Sequence, residues 1–230
     1  MSKRVTSTPR QHTKTKKAKR TGDYQKGREL ARQPKSELKA FDLSNFASVF
    51  QPAGIFTLLN IPINGPEMYQ RVGRKMYMKS LHVRGFCLNV ATSLQDMGRI
   101  IIFYDSQPNA AVSNIAALLQ DSNLAATTSV FSEINLNNRE RFKIIRDHQI
   151  MLPAVTNTAG VLTNGPLTLD PIKSTMNIDM FIKLKGLETI FNGVNGGTIA
   201  DITSGSLYML TVSNATGWEF SGTTRLRYYD

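Results

Sequence analysis

The chain has one cysteine, three histidines and no apolar stretch that approaches the length of a membrane-spanning helix. The single cysteine, Cys87, excludes an intramolecular disulfide bond and suits a reducing compartment or indifference to redox state. A transmembrane helix needs about 18 or more consecutive apolar residues, so we predict no insertion into a membrane. No apolar run follows the basic start of the chain, which argues against a secretory signal.

Groups that carry out catalysis or bind metals are also scarce. A metal site built from His82, His148 and Cys87 lacks ligand spacing and normally needs a fourth group. On a predicted strand His82 and Cys87 point to opposite faces, so they cannot form a nucleophilic pair. The sequence contains no nucleophile elbow, P-loop, dinucleotide fingerprint or paired-carboxylate motif. We therefore predict that the protein is not an enzyme and has no metal or cofactor site.

Acidic residues are few at the N-terminus, where basic residues are dense. The first 39 residues contain 13 Lys and Arg side chains against three Asp and Glu, a net charge of +10. The remaining 191 residues contain 15 basic and 14 acidic side chains, a net charge of +1. Such a charge block on a nearly neutral body is typical of a segment that binds a polyanion. A plain solubilising tail and a mitochondrial transit peptide are the alternatives.

This basic arm, residues 1–40, is too poor in apolar residues to fold alone. Besides Met1, its large apolar side chains are Val5, Tyr24, Leu30 and Leu38. Burying each of them stabilises by about 1.5–3 kcal/mol, whereas ordering each residue of the arm costs about 1–2 kcal/mol in backbone entropy. We therefore predict an arm that is disordered until a polyanion neutralises it.

The arm is suited to phosphate contacts rather than to base recognition, because Tyr24 is its only aromatic residue. Each Lys or Arg that neutralises a phosphate releases a counterion, which makes the affinity steeply dependent on salt. The predicted nucleic-acid-binding residues of the arm are Lys3, Arg4, Arg10, Lys14, Lys16, Lys17, Lys19, Arg20, Lys26 and Arg28. The cluster of Lys14, Lys16, Lys17, Lys19 and Arg20 also fits a nuclear-import signal, so import receptors are a further predicted partner.

Residues 41–230 are predicted to form one all-β domain. Residues 178–185 alternate between apolar and polar side chains, as in a half-buried strand, and residues 206–213 are apolar on both faces. Further strands are predicted over 54–61, 76–90, 99–105, 140–152 and 223–229. About seven or eight strands with turn-rich connections favour a sandwich or jelly roll. A short helix in a loop is predicted over 112–119, with Ser113 as its N-cap.

A second set of cations lies in this domain. It comprises Arg71, Arg74, Lys75, Arg139, Arg141 and Lys143. The first three precede a predicted strand, and the last three are expected to share one face of another, because side chains repeat every two residues. Three like charges on one face favour contact with phosphates. A solvated face balanced by Glu140 and Asp147 is the alternative.

Several motifs of the domain carry a family resemblance. The segment Gln70-Arg71-Val72-Gly73-Arg74-Lys75, followed by Lys79-Ser80-Leu81 and Arg84-Gly85, resembles the early body of capsid proteins from small circular single-stranded DNA viruses. More closely, it is similar to the geminivirus-like and satellite-necrosis-virus-like single jelly-roll capsids. Residues 99–105 with Gln107-Pro108, and then residues 141–147, resemble later strands of these capsids. The resemblance implies an eight-stranded jelly roll of two antiparallel sheets that self-assembles into an icosahedral shell of about sixty copies.

The sequence therefore predicts a structural virion protein that packages single-stranded nucleic acid through its arm. By resemblance, this nucleic acid is circular DNA, and the protein is in the host nucleus during assembly. Composition does not distinguish DNA from RNA, since phosphate contacts do not involve the 2′-hydroxyl. The alternatives are the capsid protein of a small single-stranded RNA satellite virus, and a cellular nucleic-acid-binding or ribosome-associated β-domain with a basic tail.

Overall fold

The computed structural model of the protein describes residues 37–89, 96–120, 129–152, 175–193 and 196–230. All of them belong to one unit, Glu37–Asp230. Its first strand begins at Lys39, two residues before the domain boundary predicted from the sequence. The ten arm cations predicted to bind nucleic acid, and the import signal among them, lie outside the described residues.

Strands account for most of the described chain, which confirms the all-β prediction. They are β1 (Lys39–Phe50), β2 (Ile55–Leu58), β3 (Lys75–Asn89), β4 (Asp96–Asp105), β5 (Leu119–Gln120), β6 (Glu133–Ile134), β7 (Phe142–Leu152), β8 (Thr175–Phe191), β9 (Ile202–Ser204), β10 (Ser206–Ser213) and β11 (Trp218–Tyr229). Within the described ranges, one short helix, α1 (Ile115–Leu118), and two 3-10 turns, Leu136–Asn138 and Ile199–Asp201, lie between them.

The strands form two facing antiparallel sheets. One has the order β1-β11-β3-β8-β9, the other has the order β2-β10-β4-β7, and β5 and β6 form a separate pair. Without the short strands β5, β6 and β9, four strands remain in each sheet, and the chain mostly passes from one sheet to the other between strands. This arrangement is a jelly roll, as the sequence predicts.

The alternation of β8 and the double burial of β10 are also confirmed. On β8 the side chains of Ile178, Met180, Ile182 and Leu184 are buried, and those of Asp179, Phe181, Lys183 and Lys185 are exposed. On β10 every residue is buried. Leu207 and Met209 join the main core between the sheets, whereas Tyr208 joins a second cluster on the other face. That second cluster includes Leu118 of α1, so the helix-bearing segment covers part of the outer face of the four-stranded sheet.

Strand β1 and the cap of α1 differ from what the sequence pattern predicts. The register of β1 against β11 shifts between Leu43 and Phe46, and Asn45 has a φ of 51°. This bulge changes the phase of the polar–apolar alternation within the strand, so no single period of two is visible. The helix begins later than predicted, at Ile115, and its N-cap is therefore Asn114 rather than Ser113. The Asn114 side chain accepts a hydrogen bond from the backbone nitrogen of Ala117 at 2.8 Å.

Candidate nucleic-acid interface

Arg71, one of the predicted phosphate ligands, is enclosed by the fold. It is 1% exposed, and its guanidinium carbon lies 4.1 Å from the centre of the Phe191 ring. One of its nitrogens donates a hydrogen bond to the carbonyl of Gly73 at 2.8 Å. The contact with Phe191 attaches the loop before β3 to the end of β8, and the hydrogen bond to Gly73 lies within the loop. The position of Arg71 therefore fits a structural role better than phosphate binding.

Arg141 is also held by a structural partner. Its Nε and Nη2 donate hydrogen bonds to the two carboxylate oxygens of Asp105, at 2.9 and 2.8 Å. The Asp105 side chain is 0% exposed, and the hydrogen bond to it raises the pKa of Arg141. The guanidinium carbon also lies 4.8 Å from the centre of the Phe142 ring. A bidentate pair of this kind is strong and directional, so little of the Arg141 charge is available to a second anion.

Lys75 and Arg139 are exposed, but each has a carboxylate partner. The Nζ of Lys75 lies 3.0 Å from Oε1 of Glu188, and this contact raises the pKa of Lys75. The Nε of Arg139 lies 3.4 Å from Oε1 of Glu140. Exposed pairs like these contribute little to stability, and a phosphate can compete with the carboxylate for the cation.

The prediction that Arg139, Arg141 and Lys143 share one face of a strand is wrong. Strand β7 begins only at Phe142, and Arg139 follows the 3-10 turn Leu136–Asn138 with helical dihedral angles. Alternation of faces holds only in extended backbone, so it does not relate Arg139 to Lys143. The turn is stabilised by Asn135, whose side chain accepts a hydrogen bond from the backbone nitrogen of Asn137 at 3.0 Å.

Of the six predicted ligands that the structure describes, Arg74 and Lys143 keep an available charge. Both are exposed, and neither pairs with a carboxylate among the described residues. The Arg74 side chain lies against Gly193, where a β-carbon would come within 2.9 Å of the Arg74 Nε. Lys143 lies on β7, opposite Tyr104 of β4. The structure thus separates the six predicted body cations into structural, paired and available groups rather than one cluster.

A cleft of about 490 Å³ lies between β7, at the edge of one sheet, and β8 of the other. Residues 143–146 form one wall of this β7–β8 cleft and residues 181–187 form the other. Its lining contains four cations and no acid: Lys143, Arg146, Lys183 and Lys185. In the part of the chain that the structure describes, none of the four forms an ion pair.

Three of these four cleft cations were not among the predicted ligands. Lys183 and Lys185 stand on the polar face of the alternating segment, so the sequence does show that they are exposed. It does not show that β7 and β8 lie side by side at the open edge of the sandwich. That juxtaposition depends on the order of strands in both sheets.

Elsewhere on the outer face of the five-stranded sheet, acids neutralise the central cations. Asp179 is hydrogen-bonded to Nε2 of His82 at 2.7 Å and lies 3.5 Å from Nε of Arg84. Asp42 accepts hydrogen bonds from Nε and Nη2 of Arg225 at 2.8 and 2.6 Å. These hydrogen bonds lower the pKa of Asp179 and of Asp42. On this face Asp179 and Asp42 thus offset the charges of Arg84 and Arg225, whereas no acid lines the β7–β8 cleft.

Two features of the described residues concern metal binding and thiol chemistry. These residues contain no group of three His, Cys, Asp or Glu side chains placed to hold a metal ion. Burial raises the pKa of Cys87 to about 12, which keeps its sulfur protonated and unreactive. Within the same residues, no helix is long and apolar enough to cross a membrane.

Double-sheet jelly rolls are found in viral capsid, lectin and cupin domains. A cation-lined cleft, together with a sequence segment of net charge +10, points to the capsid class among these. A family model described as "Satellite tobacco necrosis virus coat protein" matches residues 8–166, more than half of the chain. The chain therefore belongs to this coat-protein family. A comparison with curated proteins found no match.

The family match confirms the coarser part of the sequence prediction. The chain is a viral coat protein, a structural component of the virion rather than an enzyme. The match supports self-assembly and nucleic-acid binding in general terms. It does not support the predicted circular DNA genome, import receptors or location in the nucleus, and these stay predictions.

Proposed function

We propose that this coat protein assembles into a closed shell of its own copies and holds a single-stranded nucleic acid inside through residues 1–40. The observation that carries the proposal is the charge asymmetry: +10 in the first 39 residues against +1 in the other 191. Many such segments directed into one shell would repel each other strongly unless a polyanion were enclosed with them. Single strands suit this role because they are flexible, whereas bending short duplexes costs several kcal/mol.

The family match favours RNA as the enclosed strand. The matched family is named after a satellite virus, which agrees with the alternative of a small single-stranded RNA satellite virus. Circular single-stranded DNA is the second candidate, and it is favoured by the order of the motifs from Gln70 to Asp147. Nuclease typing separates the two.

Self-assembly has a candidate contact surface in the loop between β2 and β3. Met68, Tyr69 and Val72 are 57%, 52% and 66% exposed, which is unusual for three large apolar side chains so close together. The loop is fixed rather than loose: Nζ of Lys39 donates to the carbonyl of Gln70 at 3.0 Å and pairs with Asp230 at 3.2 Å. A rigid apolar surface of this kind is suited to burial against another copy of the chain.

The arm is tested by changing its charge in the full-length chain. The test variant replaces the five-cation cluster Lys14, Lys16, Lys17, Lys19 and Arg20 with Gln. The matched control replaces the four lysines of the cluster with Arg, which keeps the charge. Because counterion release depends on charge, the Gln variant should enclose less nuclease-protected nucleic acid than the control, which should match the unaltered protein. Equal amounts in all three would contradict the proposed role of the arm.

The same cluster is the proposed nuclear-import signal. A fluorescent fusion of the full-length chain should enter nuclei, and the Gln variant should lose this accumulation. A Gln variant that still accumulates in nuclei would contradict the import signal but not the packaging role of the arm.

A further inference from the structure

We propose that the β7–β8 cleft is a second binding site for the enclosed strand, where phosphates contact the cleft cations and a base stacks on Phe181. The inference rests on the proposed function, from which it takes its ligand. It adds a site on the folded domain that acts separately from residues 1–40.

The charge of the cleft is the first argument. Four of the 15 cations in residues 40–230 line this one cleft, although the same residues carry a net charge of only +1. A concave surface with low-dielectric walls concentrates the field of such charges and attracts anions. The apolar side chains of Ile144, Ile145 and Leu187 form part of these walls. A phosphate is the anion that the proposed function brings to this surface.

The backbone of both walls departs from regular geometry at the cleft. Three residues of β8, 184–186, fall between its pairings with Met78 and Ser80, and one extra residue of β7, Ile145, falls between its pairings with Ile102 and Phe103. Lys185 has a φ of 54°, a left-handed conformation that is unfavourable for a residue with a side chain. Bulges turn side chains in new directions, and conformations of this kind cluster at binding sites.

Phe181 supplies a surface for a base. It is 58% exposed at the lip of the cleft, and its ring meets the ring of His82 edge to face at 5.9 Å. Proteins that bind single strands combine a cationic groove with aromatic side chains on which bases stack. Lys183 is on the same face of β8, two residues away, so a phosphate bound there would leave its base near Phe181.

Protection of the sheet edge is the competing explanation for the cations. Lysines on edge strands prevent pairing with other chains, and β7 is an edge strand. An exposed Phe181 does the opposite, since it would promote such association. Edge protection therefore accounts for Lys143 and the bulge of β7, since bulges also protect edges. Strand binding accounts in addition for Lys183 and Lys185 of β8, which is an inner strand in the order of its sheet, and for the exposed aromatic ring.

The first test measures the salt dependence of binding to the full-length protein. The cleft variant carries Lys143→Gln and Lys183→Gln. The control carries Lys79→Gln and Arg227→Gln, which removes two exposed cations from the neighbouring strands β3 and β11 outside the cleft lining. The probes are fluorescent oligouridylate and oligodeoxythymidylate of roughly 20 nucleotides, longer than one typical single-strand site.

In the cleft variant, log K should fall less steeply with log salt, with a slope smaller in magnitude by about 1.4, since each lost contact to a single strand accounts for about 0.7. The control should leave the slope unchanged. Phe181→Leu should weaken binding about fivefold or more with the slope unchanged, because it removes stacking but no charge. Equal slopes for the cleft variant and the control would overturn the proposal, as would aggregation of the cleft variant with unchanged binding.

Ultraviolet crosslinking of assembled particles gives a second readout. Nucleotide adducts on the peptide that contains Phe181 would support the cleft, and adducts confined to residues 1–40 would overturn it. Failure of the cleft alone is distinguishable from failure of the proposed function. Particles that protect a strand without contact at the cleft would refute only the second binding site. Particles without any nucleic acid would refute both the second site and the proposed packaging function.

Discussion

Replacement of Arg141 by Ala should destabilise the coat-protein subunit, because it leaves a buried carboxylate without its cation. The Asp105 side chain is 0% exposed, and both of its oxygens accept hydrogen bonds from Arg141. One further hydrogen bond, from the backbone nitrogen of Gln107 at 3.0 Å, remains in the variant. A single amide donor does not compensate a full negative charge in the interior.

The size of this effect follows from the burial of the pair. Removing one partner of a buried ion pair costs about 3–5 kcal/mol. Because the Arg141 side chain is 28% exposed, water can reach the vacated site, and we expect the lower end, about 3 kcal/mol. For a chain of this length, the melting temperature should then fall by about 6–12 °C.

Urea denaturation of dissociated full-length subunits measures the loss of free energy directly. A double-mutant cycle with Asp105→Asn should show a coupling energy of about 1 kcal/mol or more, since the two side chains share one interaction. Lys143→Gln is the control for an exposed cation two residues away and should change stability by less than about 0.5 kcal/mol. If Arg141→Ala kept its stability but bound oligonucleotide more weakly, Arg141 would be a phosphate ligand and this structural role would be refuted.

Three further predictions concern other parts of the domain. Burial raises the pKa of Cys87 to about 12. A thiol reagent at neutral pH should therefore label the native protein on the order of a hundredfold more slowly than the urea-unfolded protein. Equal labelling rates would contradict this prediction. A β-carbon on Gly222 would lie 2.2 Å from the carbonyl oxygen of Arg84, so Gly222→Ala should lower the free energy of unfolding by about 1–3 kcal/mol, and an unchanged urea midpoint would argue against this close approach of β3 and β11. The hydrogen bond from Arg225 lowers the pKa of Asp42 below the usual value for an aspartate. The stabilising effect of the pair is therefore present above about pH 4 and is lost as the pH falls through the lowered pKa. Asp42→Asn should flatten the dependence of stability on pH in the acid range below about pH 5, and an unchanged profile would count against the pair.

The sequence predicts the fold well where one physical rule governs a whole strand. Residues 178–185 are exposed on one face and buried on the other, so their period of two is visible in the polarity of the side chains. Residues 206–213 are covered on both faces, so they read as a continuous apolar run. Strand β1 is not recognisable in the sequence, because the bulge at Asn45 changes the phase of its polar–apolar alternation. A bulge of this kind depends on the partner strand.

The candidate site was predicted less completely, for a related reason. Composition shows which cations are present, but the availability of their charge is decided by neighbours that are distant in sequence. Asp105 forms an ion pair with Arg141, and the guanidinium of Arg71 packs against the ring of Phe191. Conversely, Lys143 and Lys183 line one cleft because two strands from different sheets meet at the same edge of the domain. Strand order, which local patterns do not specify, makes the difference in each case.

Nuclease typing of purified particles shows whether the protein encloses a single strand and whether that strand is RNA or DNA. Full-length protein is expressed, treated with nuclease, imaged by negative-stain electron microscopy, and the protected nucleic acid is extracted and digested separately with RNase and DNase. We predict uniform closed particles that protect a single strand, with sensitivity to RNase after extraction; sensitivity to DNase would instead select the circular DNA candidate. A protein that stays monomeric with and without single-stranded RNA or DNA, at every salt concentration and pH, would contradict its assembly into a shell around a single strand.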